Sequence, residues 1–364
     1  MDLDIKYIKI TIFLLKKIIG TTFPNPPVVS LIVESNKKKT LNKIVSFGCT
    51  FEGGRPHAEA VALRKIIFKK NFLYTLYTSL EPCCHSGRDE SCVSKILKTK
   101  INRVVFSLRD PDKRVNGLGE KLLRNNGVAV VGGILTEETK KIYSGYILNR
   151  KFHRPKIIIK IGSSLDTKIA SKPNKSDRIT NDQVKKIVHV LRSEADAVLV
   201  GKKTVNIDNP RLNCRIEGLK KFSPIRIILS KKLDLNLNSN IFKNCKISPT
   251  IIFTLKNQNQ KIKKISEKKV KVFMLNKRMF KLSNIIEELA KLGVCNLLVE
   301  GGGEIFTSFL NEGLVDRLII FRSNSLIGGM GVNAINVLNK NKKLTFKHKH
   351  LSIIRNNTME ILEK

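Results

Sequence analysis

The sequence has no tryptophan, few tyrosines and few acidic residues. Lys and Arg number 68 against 30 Asp and Glu, which gives a formal net charge of +38. Nucleic-acid-binding surfaces combine such charge with aromatic side chains that stack on bases. Here the lysines are spread over every segment together with Ile and Asn, as in NKNKKLTFKHKH, a pattern that a codon bias toward A and T would produce. We therefore expect a lysine-rich surface that attracts acidic small molecules, and no nucleic-acid partner.

The chain also lacks a recognisable secretory leader and a long apolar run. The N-terminal stretch KITIFLLKKIIG contains Lys16 and Lys17, Asp2 and Asp4 replace a basic leader region, and no small-residue cleavage site follows. No uncharged apolar run approaches the roughly 20 residues that a bilayer span requires. Seven cysteines, several of them clustered, then favour metal ligands or reduced thiols over disulfides. These features predict a cytoplasmic protein without a membrane partner.

A chain of 364 residues predicts two domains. In the first half, a helix over residues 5–19 precedes a Pro-Asn-Pro break, and strands and helices then alternate. Helices are expected to start at His57 and near Cys92, with a strand ending at Pro82 between them. The alternation predicts a layered α/β domain over residues 1–147.

A second pattern begins with the apolar strand in RPKIIIKIGSSLD, which places the boundary near residue 150. A helix over 181–193, strands in DAVLVG, PIRIILS and TIIFT, and a helix near 282–292 follow. NLLVEGGGEIFTSFL then predicts a strand, a glycine turn and a helix. Residues 216–281 indicate only two or three strands, and the whole segment 154–364 is expected to form the second α/β domain.

Two short motifs in the first domain carry metal chemistry. Zinc that activates water has three protein ligands, and a nearby carboxylate that does not bind the metal moves protons. Zinc deaminases supply these groups as H-x-E followed by P-C-x-x-C. His57 and Glu59 match the first half, and Cys83 begins the second. Ser86 stands where the last cysteine would be, so Cys92 is its replacement.

Cys84 is the competing third ligand. Adjacent residues on an extended chain point in opposite directions, so Cys83 and Cys84 rarely share one metal. His57 and Cys92 both stand at predicted helix starts, where unpaired N–H groups favour metal-ligating groups. The combined pattern favours a zinc site over buried, inert cysteines.

Four segments of the first domain resemble the deaminase half of the bifunctional riboflavin-biosynthesis deaminase-reductase family. They are PNPPVVSLIV, GGRPHAEAVAL, TSLEPCCHSGR with Cys92, and RDPDKRVNGLG. The resemblance implies a cytidine-deaminase-like α/β/α layer domain in which His57, Cys83 and Cys92 bind Zn²⁺. Glu59 would be the catalytic residue that transfers protons while water replaces an amino group of 2,5-diamino-6-(5-phosphoribosylamino)pyrimidin-4-one.

Residues 154–331 resemble the reductase half of the same family through KIGSSLDTKIA, HVLRSEADAVLVGKKTVNIDNPRLNCR and LLVEGGGEIFTSFL. The resemblance implies a dihydrofolate-reductase-like α/β domain that uses NADPH to reduce a ribosyl group to a ribityl group. It implies cofactor contacts at Gly162, Arg178, Thr204, Asp208, Gly302, Gly303, Glu304, Ile305, Phe306, Thr307 and Ser308. It implies substrate contacts at Ser176, Arg192, Leu212, Arg215 and Glu300.

Physical chemistry agrees with several of these assignments. A glycine turn before a helix lets backbone N–H groups approach a phosphate. The planar forks of Arg192 and Arg215 match phosphate oxygens. Lys160 ends its strand in the same block and is a further candidate for the pocket. The implied substrate is a phosphorylated pyrimidine, and we expect a homo-oligomer.

The chain departs from the family pattern at several positions without losing a metal ligand or the proton-transfer residue. Thr50 stands where His is usual, Asp112 replaces Asn, Thr167 replaces Gly, and Arg178 replaces an aromatic residue. Lysine-rich drift under relaxed selection would account for these changes and predicts weak but real turnover.

Two rival functions remain from the residues alone. A nucleic-acid deaminase with a basic accessory domain is favoured by the charge and the H-x-E motif, but it lacks the P-C-x-x-C spacing. A binding protein with structural zinc is the other rival, and it has no use for Glu59.

Overall fold

The computed structural model describes residues 2–38, 41–87, 89–255, 259–339 and 344–364. The chain divides into two compact units, Met1–His153 and Arg154–Lys364.

The first unit is built on one five-stranded sheet. Its elements are α1 (Asp2–Leu15), β1 (Val29–Asn36), β2 (Asn42–Cys49), α2 (Ala58–Arg64), β3 (Phe72–Leu80), α3 (Cys92–Leu97), β4 (Arg103–Leu108), α4 (Leu118–Asn125), β5 (Ala129–Gly132), α5 (Thr136–Ile142) and α6 (Ser144–Phe152). The strand order is β2-β1-β3-β4-β5. Strand β1 runs antiparallel to β2 and β3, whereas β3, β4 and β5 are parallel.

Apolar side chains alternate along the central strands, so both faces of this sheet are buried. The face that includes Ile32 and Phe106 packs with side chains of α2, α3 and α4. The opposite face, which includes Leu31 and Tyr77, packs with α1 and α5. The unit is therefore a mixed sheet between two layers of helices, as the sequence predicted.

The second unit contains a nine-stranded sheet. Its elements are β6 (Lys156–Ser163), β7 (Lys168–Ala170), α7 (Asp182–Glu194), β8 (Ala197–Gly201), α8 (Lys202–Asp208), β9 (Ile225–Leu229), β10 (Thr250–Leu255), α9 (Asn259–Ser266), β11 (Lys271–Leu275), α10 (Leu282–Lys291), β12 (Asn296–Val299), α11 (Gly303–Asn311), β13 (Arg317–Ser323), β14 (Val332–Asn333), β15 (Lys347–Ile354) and β16 (Asn357–Glu363). The order of the large sheet is β11-β10-β9-β8-β12-β6-β13-β16-β15, and β7 pairs with β14 separately.

Seven neighbouring strands of the large sheet, from β11 to β13, are parallel, and β16 and β15 add an antiparallel hairpin. Strand β12 lies between β8 and β6, which come much earlier in the chain. Their carboxyl ends therefore meet at one edge of the sheet, where α/β proteins commonly place ligand sites.

Most predicted elements are present with small shifts of their ends. The first helix covers Asp2–Leu15 instead of residues 5–19, and the helix predicted over 181–193 is α7. The segment 216–281 contains three strands, β9 to β11. Strand β2, helix α6 and the hairpin of β15 and β16 were not predicted.

Candidate functional sites

The ends of three elements bring His57, Cys83 and Cys92 together in the first unit. His57 is the residue that caps α2, and Cys92 is the first residue of α3. Cys83 follows β3 after a short extended segment. Its carbonyl accepts the Val93 N–H at 3.1 Å, which fixes the segment against the start of α3.

The candidate ligand atoms of these three residues all lie within 4.8 Å of one another. The Nδ1 atom of His57 is 3.6 Å from the Cys83 sulfur and 3.5 Å from the Cys92 sulfur. The backbone N–H of Cys92 also donates to the Cys83 sulfur at 3.4 Å. One imidazole nitrogen and two sulfurs are a donor set that catalytic zinc sites use, so these three residues fit the metal.

The two thiols share protons unequally. The hydrogen bond from Cys92, together with the hydrogen bond and charge of His57, holds the pKa of Cys83 well below its ordinary value. The same contact raises the pKa of Cys92, because one sulfur is held as the donor to the other. A divalent cation held by Cys83 and Cys92 would replace the proton between them, since thiolates are the metal-binding form.

Glu59 lies beside this cluster on the first turn of α2 and is buried. Burial raises the pKa of its carboxyl, and the negative charge of Cys83 raises it further. A carboxyl with a raised pKa, next to a metal-ligand set and outside it, is suited to both accepting and donating a proton.

Cys84 does not join the ligand cluster. Its thiol donates to the Arg114 carbonyl at 3.2 Å and packs at the edge of the apolar core beneath α3. Cys83 and Cys84 therefore point in different directions, and the structure favours Cys92 as the third candidate ligand.

Sequence reasoning missed the role of Glu81, which precedes the Pro-Cys motif. Its buried carboxylate accepts the backbone N–H groups of Asp110 at 3.2 Å, Gly117 at 3.0 Å and Glu120 at 3.1 Å. Glu81 thus holds the loop after β4 and the start of α4 against the segment that carries Cys83. An acidic residue next to the motif was the available signal.

Two departures from the family pattern have clear local partners. The Thr50 hydroxyl accepts the Val28 N–H at 3.0 Å, at the start of β1. Asp112 binds Arg114 at 2.7 Å, and this arginine lowers the pKa of Asp112 to about 2. Both side chains therefore make internal contacts.

In the second unit, Glu300 follows β12 and lies between two cations. Arg192 of α7 donates to both carboxylate oxygens, at 2.6 and 2.9 Å, and Lys160 of β6 lies 3.4 Å from one of them. Burial raises the pKa of Glu300, but the charges of Arg192 and Lys160 outweigh it and lower the pKa to about 2. The carboxylate is therefore held ionised.

Arg192 and Arg215 are linked through the chain between α8 and β9. Arg192 donates to the Asn213 carbonyl at 3.2 Å, and Arg215 donates to the Asn213 side chain at 3.0 Å. The Arg215 N–H donates to Nδ1 of His189 at 3.2 Å. Burial, Arg215 and Arg192 lower the pKa of His189 to about 4, so the ring is neutral and accepts this bond. His189 and Asn213 were not predicted; the position of His189 three residues before Arg192 was the available signal.

The turn after β12 contains glycines at positions where a side chain would be strained or would crowd its neighbours. Gly302 has a φ of 64°, and a Cβ there would lie 3.5 Å from the Thr204 hydroxyl of α8. A Cβ on Gly303 would lie only 2.6 Å from the Asn333 carbonyl oxygen. The glycines at the start of α11 thus let α8 and the backbone of Asn333 approach closely, and backbone N–H groups at the start of a helix fit a dinucleotide phosphate.

The other predicted reductase residues lie in different surroundings. Gly162 is on β6, where a Cβ would lie 3.5 Å from Thr180. Ser176, Arg178, Asp208, Arg215, Glu304 and Ser308 are exposed, whereas Phe306, Thr307 and Leu212 are buried and Ile305 is half-buried. Arg178 forms an ion pair with Asp182, and Leu212 packs in the core beside β8. Leu212 can therefore reach a ligand only through its backbone.

Within the described residues, no helix combines the length and the apolar character that crossing a membrane requires. In the part of the chain that the structure describes, none of the seven cysteines forms a disulfide.

Two family models match the chain, one in each half. Residues 1–108 match the cytidine and deoxycytidylate deaminase zinc-binding region, and residues 155–359 match the RibD C-terminal domain. The first model covers all three candidate ligands and Glu59. The second covers every predicted reductase residue.

Whole proteins are similar over nearly the full chain. Riboflavin biosynthesis protein RibD of Aquifex aeolicus is 36% identical over 96% of this chain and 95% of its own. RibD of Actinobacillus pleuropneumoniae is 32% identical over 90% of this chain and 85% of its own.

Solved structures agree with these relatives. Acinetobacter baumannii RibD superposes with a TM-score of 0.88 at 26% identity, covering 99% of this chain and 98% of its own. A Thermotoga maritima diaminohydroxyphosphoribosylaminopyrimidine deaminase/5-amino-6-(5-phosphoribosylamino)uracil reductase gives 0.81 at 28% identity, covering 100% and 99%. The predicted pairing of a deaminase fold with a reductase fold is confirmed.

Proposed function

Because the chain belongs to the riboflavin biosynthesis protein RibD family, we propose that it catalyses two consecutive steps of riboflavin biosynthesis. A zinc-dependent deaminase removes an amino group from 2,5-diamino-6-(5-phosphoribosylamino)pyrimidin-4-one. An NADPH-dependent reductase then converts the ribosyl group to a ribityl group. This proposal rests above all on one observation: the candidate ligand atoms of His57, Cys83 and Cys92 lie within 4.8 Å of one another, beside the buried Glu59.

We assign the deaminase to residues 1–147 and the reductase to residues 154–364. The positions of the ligand cluster in the first unit and of the glycine turn in the second support this division.

In the deaminase, His57, Cys83 and Cys92 would hold Zn²⁺. The metal, when bound, supplies Lewis-acid activation of a water molecule. Glu59 accepts a proton from the attacking water and delivers a proton to the departing amino group, so that ammonia leaves and a carbonyl remains. Its buried position keeps bulk water from competing for that proton.

In the reductase, the turn from Gly302 to Ser308, with Gly162, Arg178, Thr204 and Asp208, would hold NADPH. The cofactor supplies a hydride. Arg192 and Lys160 hold Glu300 ionised and in place. Its carboxylate orients the ribosyl hydroxyl groups by accepting hydrogen bonds from them. Ser176 and the backbone of Leu212 are assigned to the same substrate.

The two arginines have different partners and therefore different proposed roles. Arg192 directs its fork at Glu300 and at the Asn213 carbonyl, so it acts as a positioning residue. Arg215 is exposed and donates only one bond among the described contacts of its guanidinium, to Asn213. We assign the substrate phosphate to Arg215.

The deaminase is tested by measuring ammonia release from purified, zinc-quantified protein, with Glu59→Gln as the variant. Glutamine keeps the shape of the side chain but cannot carry the proton, so the rate should fall by roughly 100-fold or more while zinc stays bound. A variant with the wild-type rate would remove Glu59 from the mechanism.

The phosphate assignment is tested with the phosphorylated and the dephosphorylated reductase substrate. Arg215→Ala should raise KM for the phosphorylated form by about tenfold to 100-fold, the cost of a charged hydrogen bond, and leave the dephosphorylated form unchanged. Arg278→Ala, at an exposed position in the same unit, is the control. Equal effects of Arg215→Ala on both substrates would contradict the assignment.

We further propose that the enzyme has no nucleic-acid partner, forms a homo-oligomer and is located in the cytoplasm. Seven cysteines without a disulfide in the described part of the chain support a reducing compartment. Electrophoretic mobility shifts with single-stranded DNA and RNA at about 0.15 M salt test the first point, because charge-driven binding weakens steeply with salt.

A further inference from the structure

The turn after β6 contains an aspartate whose carboxylate is shared by two distant parts of the second unit. The Ser164 hydroxyl donates to one oxygen of Asp166 at 2.6 Å. The Ile327 N–H donates to the same oxygen at 3.1 Å, and the Gly328 N–H donates to the other at 2.7 Å. These bonds lower the pKa of Asp166 to about 2, led by the Ser164 hydroxyl. Asp166 thus joins the turn to a segment about 160 residues later.

The segment that Asp166 anchors continues alongside the same turn. Strand β14 pairs with β7, and the Ala334 N–H donates to the Thr167 carbonyl at 3.0 Å. Lys168 donates to the Asn333 side chain at 2.6 Å. Residues 327–336, which we call the anchored segment, are therefore fixed to the turn at both ends.

The anchored segment also contacts the glycine turn. The Asn333 carbonyl oxygen lies 2.6 Å from the position of a Cβ on Gly303, and the Asn336 N–H donates to the Thr307 hydroxyl at 2.8 Å. The same hydroxyl donates to the Gly303 carbonyl at 2.6 Å. The segment consequently lies against the first turn of α11, the part of the helix assigned to NADPH.

The anchored segment has little stiffness of its own. It contains Gly328, Gly329 and Gly331, and glycine loses more conformational freedom on ordering than any other residue. Met330 at its tip is 84% exposed. The order of this segment therefore depends on its anchors, and Asp166 supplies two of them from one carboxylate.

We propose that Asp166 is a positioning residue for NADPH, which holds the anchored segment in place as a wall of the cofactor site. This inference rests on the proposed reductase function. Both carboxylate oxygens accept hydrogen bonds. An asparagine has one acceptor oxygen, so it can keep the bonds to one oxygen and loses those to the other. Without the second bond the segment moves and the cofactor must order it on binding, which weakens binding.

The test compares Asp166→Asn with Glu267→Gln, which removes the same charge at an exposed position in the same unit. Asp166→Asn should raise KM for NADPH about tenfold, the loss of one charge-assisted bond, with kcat changed less than about twofold. Ammonia release, which belongs to the other unit, should be unchanged. Asp166→Glu keeps both acceptor oxygens and should lie nearer the wild type than Asp166→Asn.

Hydrogen exchange of the wild-type protein supplies a second readout that needs no variant. Addition of NADPH should slow exchange of residues 327–336, and Asp166→Asn should speed exchange there without NADPH. An unchanged KM in Asp166→Asn, or no NADPH-dependent protection of the segment, overturns this inference while the reductase function stands. A wild-type protein that does not bind NADPH overturns both.

Discussion

Replacing Glu300 by glutamine should destabilise the second unit strongly. The change keeps the volume of the side chain but leaves Arg192 and Lys160 without the carboxylate that neutralises them. The Glu300 pKa of about 2, against an ordinary value of 4.5, corresponds to about 3 kcal/mol of folding free energy at neutral pH. Loss of one partner of a buried ion pair typically costs a similar amount, about 3 to 5 kcal/mol.

The sign of the pH dependence follows from the lowered pKa. The contribution of Glu300 is fully present above pH 4.5 and is lost as the pH falls toward 2, because the unfolded state has the higher pKa and takes up a proton first. The difference between wild type and Glu300→Gln should therefore be constant from pH 6 to 8. It should begin to shrink below about pH 4.5.

Scanning calorimetry is the appropriate assay, since the chain has no tryptophan. The unfolding transition of the second unit is identified as the one whose Tm rises when NADPH is added. A domain of this size changes its Tm by about 2 to 4 °C per kcal/mol, so Glu300→Gln should lower this Tm by roughly 6 to 12 °C. Glu304→Gln breaks an exposed ion pair with Lys203 and should lower Tm by less than about 4 °C. Equal shifts in the two variants would refute the ion-pair reasoning.

Three further predictions follow from single contacts. Cys92→Ser should abolish stoichiometric zinc binding in a metal analysis, whereas Cys84→Ser should retain it; the reverse result would exchange the two ligands. Burial raises the pKa of Asp110 to about 7. The free-energy cost of burying its ionised carboxylate is therefore absent below about pH 4 and grows until about pH 7. Asp110→Asn should therefore gain up to about 4 kcal/mol over wild type in denaturant unfolding as pH rises through that window, and a pH-independent difference would contradict this. Gly303→Ala places a methyl group 2.6 Å from the Asn333 carbonyl, so NADPH binding should weaken at least about tenfold in a fluorescence titration while ammonia release is unchanged; normal NADPH binding would show that the turn can move.

The ligand cluster could be predicted from the sequence because each ligand follows a local signal. His57 precedes a helix, Cys83 follows a buried strand, and Cys92 begins a helix, and such ends meet at one edge of a sheet. Cys84 could be set aside on backbone geometry alone. The alternation of strands and helices likewise predicted both α/β units.

Contacts between distant segments could not be predicted in the same way. Glu81 binds three backbone N–H groups more than 25 residues away, and Asp166 binds two others far along the chain. No periodicity encodes such pairs. The hairpin of β15 and β16 was missed because KHKHLSII is mostly exposed and lacks the clear apolar alternation of a half-buried strand.

The direct test of the two-step function is one reaction containing the phosphoribosylamino pyrimidine, zinc-loaded protein and NADPH, with ammonia and NADPH followed separately. We expect one NADPH oxidised for each ammonia released. Glu59→Gln should stop both signals, and NADPH oxidation should return when the deaminated intermediate is supplied. Ammonia release without NADPH oxidation, even with that intermediate, would contradict the reductase, and zinc-loaded protein that gives neither signal would contradict the whole account.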